Sequence, residues 1–599
     1  MPEYKAPIRD MQFVLHELLN TQSHYEKFGY DDANAEMTDA ILSEAAKLTE
    51  EVIGPLNRVG DIEGCKWDNG EVTTPTGFKE AYRQYVEGGW PTLSQPLEFG
   101  GQGLPFSIAI ATSEMVVAAN HAFAMYPGLT HGALATLHRH GTAEQQQTYM
   151  HKLVEGRWTG TMCLTEPHCG SDLGMLRTKA VPAGDGTYRL KGTKIFISAG
   201  EHDMSENIVH IVIARIEGAP AGTRGISLFI VPKFKVNADG SLGERNGVNC
   251  GAVEHKMGIK GNATCVLNFD DAEGYLIGPE NRGLNCMFTF MNAARVGVAL
   301  EGVGAAEASY QGALNYAKDR LQMRSLSGAK NPDGPADPII VHPDVRRMLL
   351  TQKAFAESGR AMVYDMSRLV DIVESPRATD EEKADAECQL SFLTPIGKAF
   401  LTETGYEATN HGVQVYGGHG FISEWGMEQL VRDTRICCLY EGTTGIQALD
   451  LLARKVLGSK GKLLQDYIAR QLPLCQSLEG NPELSGFADT LKQHFQEWGE
   501  LTQSISKFAA ENPEEIGAAA TDYLMYSGYV VSAAYWLHMA TVAQQKLQTG
   551  SSETDFYQGK LHTARFYFDR LLPRTRAHAA MIKSGASSLM ALPESQFRV

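Results

Sequence analysis

The chain has 599 residues, 43% hydrophobic and 21% charged, which is enough for several domains each with its own core. A formal net charge of −17 argues against nucleic acid or an anionic membrane surface as the main partner, because both reward basic patches. Ten cysteines in this length are too sparse for a disulfide scaffold, and none forms a CxxC pair. Cys163 and Cys169, with His168 between them, lack the spacing of a zinc knuckle, so no metal is expected. The start, MPEYKAPIRDMQF, shows no basic segment followed by an apolar run, and no stretch approaches the roughly 20 apolar residues of a transmembrane span. The expectation is a cytoplasmic enzyme with reduced thiols.

Residues 1–35 read as an N-terminal extension in which MQFVLHELL is a short amphipathic helix. From Glu36 to Val52 the apolar Met37, Ile41, Leu48 and Val52 recur near one helical face, and Pro55 stops the run. Helical pattern continues through SIAIATSEMVVAANHAFAM to about Val154, so 36–157 reads as a helical domain. After Arg157 the texture changes. TYRLKGTKIFISAG, IVHIVIARI, GISLFIVPKF and CVLNFDD are short, β-branched and separated by Gly, Asp and Asn, which predicts an antiparallel β-domain over 158–282. Helical period returns over 283–457, interrupted by the polar, turn-rich surface loop 325–338. The GSKGK segment marks another boundary, and 458–599 reads as an additional helical domain. No internal repeat is visible. The predicted class is α+β, mainly α: a helical N-terminal domain, a central antiparallel β-domain, a helical bundle and an extra helical C-terminal domain.

Three tracts carry chemistry. TMCLTEPHCGSDLGMLRTKA (161–180) has a turn-forming centre, Pro167 to Asp172, where Thr165, Ser171 and nearby main chain offer polar groups to an extended ligand. Alone it is more simply an ordinary Gly/Ser-rich turn. LKGTKIFISAG (190–200) sets Phe196 and Ser198 two apart on a strand, so an aromatic surface and a hydroxyl share one face. A core aromatic with a solvated serine is the plainer alternative. The tract 413–455, beginning VQVYGGHGF, is the sharpest. Its Gly417, Gly418 and Gly420 let main chain approach a ligand, though no Walker A pattern is present. Glu441 stands in the apolar setting ICCLYEGTTG, where desolvation favours a raised pKa and suits general-base work near neutral pH. Taken singly, a Glu before Gly is more often a helix-start residue.

TEPxxGSD, then KxxIS about thirty residues on, then GGHGF and YEGT in that order, resemble the acyl-CoA dehydrogenase family over residues 36–457. The N-terminal extension, the C-terminal appendage and YEGTTGIQALDLL resemble its larger bacterial branch, which includes fatty acyl-CoA and 3-methylthiopropanoyl-CoA dehydrogenases. The resemblance implies bound FAD. Thr165 and the main chain of Met162 and Leu164 would bond the isoalloxazine edge, Phe196 would stack near the ring, and Ser198 replaces the usual Thr. Arg320 matches an Arg that reaches the flavin pyrophosphate across a dimer interface. Gln414, Gly417 and Gly418 would touch the same pyrophosphate, and Thr443 the adenosine side. Ser171 matches a residue near the CoA phosphates.

The resemblance also makes Glu441 the catalytic base, since it follows Tyr440 and precedes Gly-Thr. The alternative position for the base in the family falls on Ala294, which cannot serve. Arg295 matches the Arg that helps position base and substrate, and Gly442 lies at the substrate. A match along the helix after Ser113-Glu114 puts Ala124 and Gly128 at the far end of the acyl pocket; the plainer alternative is that they mark helix packing and a helix end. The implied function is α,β-dehydrogenation of medium-to-long-chain acyl-CoA to trans-2-enoyl-CoA in β-oxidation. Electron-transfer flavoprotein would be the acceptor and the assembly a homodimer. The alternatives are a 3-methylthiopropanoyl-CoA dehydrogenase, an acyl-CoA oxidase, or a DNA-binding alkylation-response flavoprotein. The last fits poorly, because 458–599 has no basic stripe.

Overall fold

Apolar-periodic tracts become long helices and the β-branched middle becomes one sheet in a computed structural model that describes residues 3–598. Helix accounts for 63% of residues and strand for 13%, so the class is mainly α with a single substantial sheet. The chain forms two units: Glu3–Ala6 with Ala40–Gly297, and Pro7–Asp39 with 298–598.

In the first unit two helices precede the sheet, α1 (Phe106–Ala119) and α2 (His121–His140). Buried Asn120 joins them, and its side chain accepts the Phe123 amide at 3.1 Å, which caps α2. The sheet has seven strands: β1 (Trp158–Cys163), β2 (Lys179–Pro182), β3 (Tyr188–Ser198), β4 (Asn207–Ile216), β5 (Ile226–Pro232), β6 (Val248–Val253) and β7 (Thr264–Ile277). Their order is β6-β7-β3-β2-β4-β1, with β5 pairing both β7 and β4. Most pairs are antiparallel. At the edge β1 joins β4 in parallel, from Trp158 opposite Asn207 to Cys163 opposite Val212, and β2 also meets β4 in parallel. The central β4 is buried on both faces, which is why NIVHIVIARI reads as a nearly continuous apolar run. Trp158, Ile211, Ile230 and Phe290 pack on one face, and Leu190, Val212, Phe229 and Phe269 on the other. Gly160 lets α2 lie close on β1, because a Cβ there would collide with that of Ala133.

The segment 36–157 is not entirely helical, as the sequence reading had it. Lys66–Asp68 and Glu71–Thr73 pair as a hairpin. Its turn, Asn69-Gly70, has φ of 48° and 90°, the left-handed pair that a two-residue hairpin loop demands.

The second unit is built on long helices. α3 (Gly283–Asp319) begins in the first unit and from Val298 belongs to the second. It is followed by α4 (Pro343–Glu374) and α5 (Asp380–Tyr416). A capping box, Thr379 with Glu382, starts α5. α3 and α5 cross at Gly302 and Gly405, where a Cβ on either would collide with main chain of the other. From the C-terminal region come α6 (Glu514–Gln548) and α7 (Thr554–Phe566). Gly528 seats α6 directly on the Phe400 ring of α5.

The N-terminal MQFVLHELL tract is a short helix, Ile8–Gln12, that opens into the π-helical turn Phe13–Leu18. It packs on the C-terminal segment, with the Phe13 ring edge-on to Phe556 at 5.5 Å. Here the fold buries charge. Asp10 accepts from Arg360 and Lys560; Arg360 also holds Glu307 at 2.9 Å, and Lys560 holds Glu357 at 2.9 Å. Lys353 completes the group by pairing with Glu357. Three acids and three bases thus balance in the interior, which is the condition under which buried charge is tolerated.

Candidate active site

Each unit carries part of the predicted site. In the first unit β1 is the edge strand of the sheet, and Met162 and Leu164 are two apart, so their main-chain groups face the same edge. Thr165 follows, half-buried, and its carbonyl accepts the Ile195 amide of β3 at 2.9 Å. Next comes the turn that holds Ser171. Glu166 and Cys169 exchange main-chain hydrogen bonds of 2.9 and 3.1 Å, and Asp172 Oδ1 accepts the Gly174 amide at 3.0 Å. Ser171 itself is exposed.

The sequence reading missed what locks this turn to β3. Glu166 is 3% exposed and Lys194 is fully buried, and they pair at 2.8 Å. Lys194 also donates to the Leu164 carbonyl at 2.9 Å, while Glu166 accepts the amides of Arg177 and Thr178 at 2.7 and 3.1 Å. Burial pushes the Lys194 ammonium below its usual range against the pull of Glu166. Burial would raise the Glu166 carboxyl, but Lys194 and the amides hold it below the usual value. The signal was present as the E of TEP and the K of KxxIS. Glu166, His168 and Cys169 also bring potential metal ligands within 4.8 Å of one another. Glu166 is already committed to Lys194 and two amides, and His168 Nε2 donates to the Met175 carbonyl at 3.0 Å, so the cluster is a brace rather than an ion site.

Phe196 and Ser198 lie on β3, with a departure from simple alternation. Against β7, Ile197 faces Cys265 but Lys194 faces Leu267, so two residues on β3 oppose one on its partner. This bulge puts Phe196 at φ 59°, turned outward and 60% exposed, while Ser198 is half-buried. Ala199, also at φ 53°, continues the strained stretch.

In the second unit the third tract divides into two pieces. α5 ends at Gly417, whose φ is 60°, and a Cβ at Gly417 or Gly418 would meet no heavy atom within 4 Å. With exposed Gln414 they form an approachable stretch of main chain. Gly420 differs from expectation. It is buried, and a Cβ would collide with the Val413 carbonyl, so it is glycine for packing rather than ligand approach. Stacked pairs, Tyr316 on Tyr416 at 4.1 Å and His419 on Trp425 at 4.4 Å, stiffen the tract.

Glu441 does not start a helix. It stands in a turn at φ 55°, and Gly442 follows at φ 93°. The next helix is Thr444–Leu449, capped by Thr443, whose hydroxyl accepts the Ile446 amide at 3.4 Å. Both carbonyls of the left-handed pair are pinned: Glu441 O by Gln447 Nε2 at 3.0 Å, and Gly442 O by Lys398 Nζ at 2.7 Å. Only glycine fits at 442, where a Cβ would lie 2.5 Å from Gln447 Nε2. Cys437 and Cys438 are buried beneath, as the apolar context predicts, but Lys398 from α5 brings a charge that the local sequence did not announce.

Of the remaining predicted residues, Arg295 is 7% exposed on the N-terminal part of α3, next to Ala294. Arg320 is exposed just past the end of α3. Ala124 is half-buried against the cluster of Phe78, Tyr82, Phe123 and Tyr126. Gly128 is not a helix end: α2 runs on to His140, past both Pro127 and Gly128. A Cβ at Gly128 would meet nothing within 4 Å.

In the first unit the exposed Phe196 ring and the edge-strand main chain are suited to a planar ring system. In the second unit the bare Gly417-Gly418 pair leaves main chain open to a ligand. The comparisons make the protein an FAD-dependent oxidoreductase acting on CH–CH groups. Four family models match in order: acyl-CoA dehydrogenase N-terminal domain over 36–157, middle domain over 161–272, C-terminal domain over 281–457, and the acetyl-CoA dehydrogenase C-terminal like segment over 462–593. The chain belongs to the acyl-CoA dehydrogenase family. It is 40% identical to the 3-methylmercaptopropionyl-CoA dehydrogenase of Ruegeria pomeroyi, covering 98% of this chain and 99% of that one. It is 33% identical to a broad-specificity linear acyl-CoA dehydrogenase of Mycobacterium tuberculosis, over the whole of both. An acyl-CoA dehydrogenase from Bacillus anthracis, solved with FAD, shares the fold at a TM-score of 0.75 and 22% identity, covering 92% of this chain and 89% of its own.

Proposed function

We propose that this protein oxidises the Cα–Cβ bond of a short thioether acyl-CoA, 3-methylthiopropanoyl-CoA, with Glu441 as the base. The observation that carries the role of Glu441 is its turn: a carboxylate residue in a left-handed conformation, with its own carbonyl and that of Gly442 held by buried donors. Strain of this kind costs about 1–3 kcal/mol and persists where the surroundings over-determine it, as functional sites do. Glu441 accepts the α-proton of the thioester, and its amide N–H polarises the thioester carbonyl, which acidifies that proton. FAD, when bound, supplies the acceptor for the hydride that leaves the β-carbon. Thr165, Ser198, Phe196 and the main chain of Met162 and Leu164 hold the ring. Gln414, Gly417, Gly418 and Arg320 hold the pyrophosphate, and Thr443 the adenosine side. Ser171 and Gly442 meet the substrate, and Arg295 positions it.

The choice of substrate is supported by the 40% identity that runs through both terminal extensions. A second reading, a medium-to-long saturated acyl-CoA in β-oxidation, is favoured by small Ala124 and by the open space around Gly128. Electron-transfer flavoprotein is the proposed acceptor, and exposed Arg320 supports a homodimer. Measuring kcat/KM for 3-methylthiopropanoyl-CoA against saturated acyl-CoAs from C4 to C18, with an artificial acceptor, decides the substrate. A maximum beyond about C8, where buried methylenes add roughly 0.8 kcal/mol each, would overturn the first reading. Glu441→Gln tests the base: the variant should keep FAD and bind substrate, yet lose at least about three orders of magnitude in rate.

A further inference from the structure

Lys398 lies on α5 and is fully buried, and its ammonium donates to the carbonyl of Gly442 at 2.7 Å. A lysine side chain is rarely fully buried unless it is paired. The groups that face it are Cys437 and Cys438 from the short helix below, Glu441 from the turn, and Glu301 from α3. Burial pushes the Cys438 thiol up to about 11, and Cys437 is raised further, so both are neutral near pH 7. Burial pushes the Lys398 ammonium below its usual range against the pull of these neighbours. Tyr440 occupies part of Glu301 by donating its hydroxyl to it, and Glu403 is engaged by the Thr444 hydroxyl.

We propose that Lys398 is the positioning residue of the base: it clamps the Gly442 carbonyl so that Glu441 stays in its left-handed turn. The clamp is specific in geometry. Gln447 holds the preceding carbonyl, so the two successive peptides, Glu441–Gly442 and Gly442–Thr443, are each held by one donor. Without Lys398 the Gly442 carbonyl loses its donor, and the turn that carries Glu441 can relax toward the φ that ordinary residues prefer. This inference rests on Glu441 being the base.

The test uses the FAD-loaded enzyme and the acyl-CoA that it turns over fastest, with Lys398→Met, Lys398→Gln and Glu441→Gln in parallel. Lys398→Gln keeps a donor for the Gly442 carbonyl but not the charge; Lys398→Met keeps neither. Lys398→Met should lose about 100-fold in kcat with little change in KM, as misplacement of a reacting group does. Lys398→Gln should lose less, because its amide can still donate to the Gly442 carbonyl. If Glu441→Gln is inactive while Lys398→Met holds FAD and keeps the wild-type kcat, or Lys398→Gln loses as much as Lys398→Met, the role of Lys398 is refuted and that of Glu441 stands. If Glu441→Gln remains active, the base lies elsewhere and both fall. A Lys398→Gln protein that cannot hold FAD also overturns the inference, because it makes Lys398 a residue of the fold alone.

Discussion

Asp10→Asn should destabilise the second unit out of proportion to its place ten residues into the chain. Asp10 is 9% exposed, Lys560 is 2% and Arg360 is fully buried. Burial alone would raise the Asp10 carboxyl, but Lys560, Arg360 and Lys353 hold it well below the usual carboxylate range. Its contribution is therefore fully present above about pH 4, its unfolded value, and is lost only in strong acid. Asparagine removes one of three balancing negative charges and leaves Arg360 and Lys560 with Glu307 and Glu357 alone. Stranding part of a buried ion network costs about 3–5 kcal/mol; the two surviving bonds of 2.9 Å argue for the low end. At about 2 °C per kcal/mol for a large unit, the melting temperature should fall by about 6 °C at pH 7. Asp10→Asn with Lys560→Met restores neutrality, so the double variant should melt no lower than Asp10→Asn. Scanning calorimetry of the FAD-loaded protein measures both. A single variant within about 1 °C of wild type, or single effects that add in the double, would refute the network.

Three further outcomes follow from other sites. Glu166→Gln strands the buried Lys194 ammonium, so FAD content should drop and melting fall by about 3–5 kcal/mol equivalent; unchanged FAD absorbance would count against the brace. Burial holds His131 down to about 4, and His202 and His210 to about 3, so these rings take up protons on unfolding from about pH 6.5 downward. Stability of the first unit should therefore fall as pH drops from 6.5 toward 4, by up to about 4 kcal/mol per pH unit for the three, and His210→Asn, which can still meet the Thr161 hydroxyl, should make that slope shallower. On the second reading, a medium-to-long acyl-CoA, Ala124→Gln should shift the substrate optimum toward shorter acyl chains without changing FAD content. An unchanged kcat/KM profile would show that Ala124 serves helix packing only.

The helices and the sheet were legible because long periods and β-branched runs are local signals, read within a window of ten or so residues. The hairpin at Asn69-Gly70 was also local, and was passed over because the helical texture on either side dominated it. What sequence reading could not supply was partnership over long separations. Nothing near Asp10 announces Lys560, and nothing near Gly442 announces Lys398. The strained φ of Phe196 was equally hidden, because KIFIS alternates as an ordinary strand would, and the bulge exists only in the register against β7.

The same contrast separates the two kinds of glycine in the third tract. Gly417 and Gly418 face open space, and a substitution there would alter what approaches the main chain. Gly420 and Gly442 are closed in, one by the Val413 carbonyl and the other by Gln447. A motif written GGHGF…YEGT therefore holds two constraints: bare main chain for a ligand, and tight turns that aim side chains. Glu441 belongs to the second. Its direction depends on Gly442 behind it and on two buried donors, one of them 43 residues earlier on α5. A carboxylate aimed in this way cannot be transplanted by copying the four letters YEGT, because the lysine and glutamine that hold the turn lie outside them.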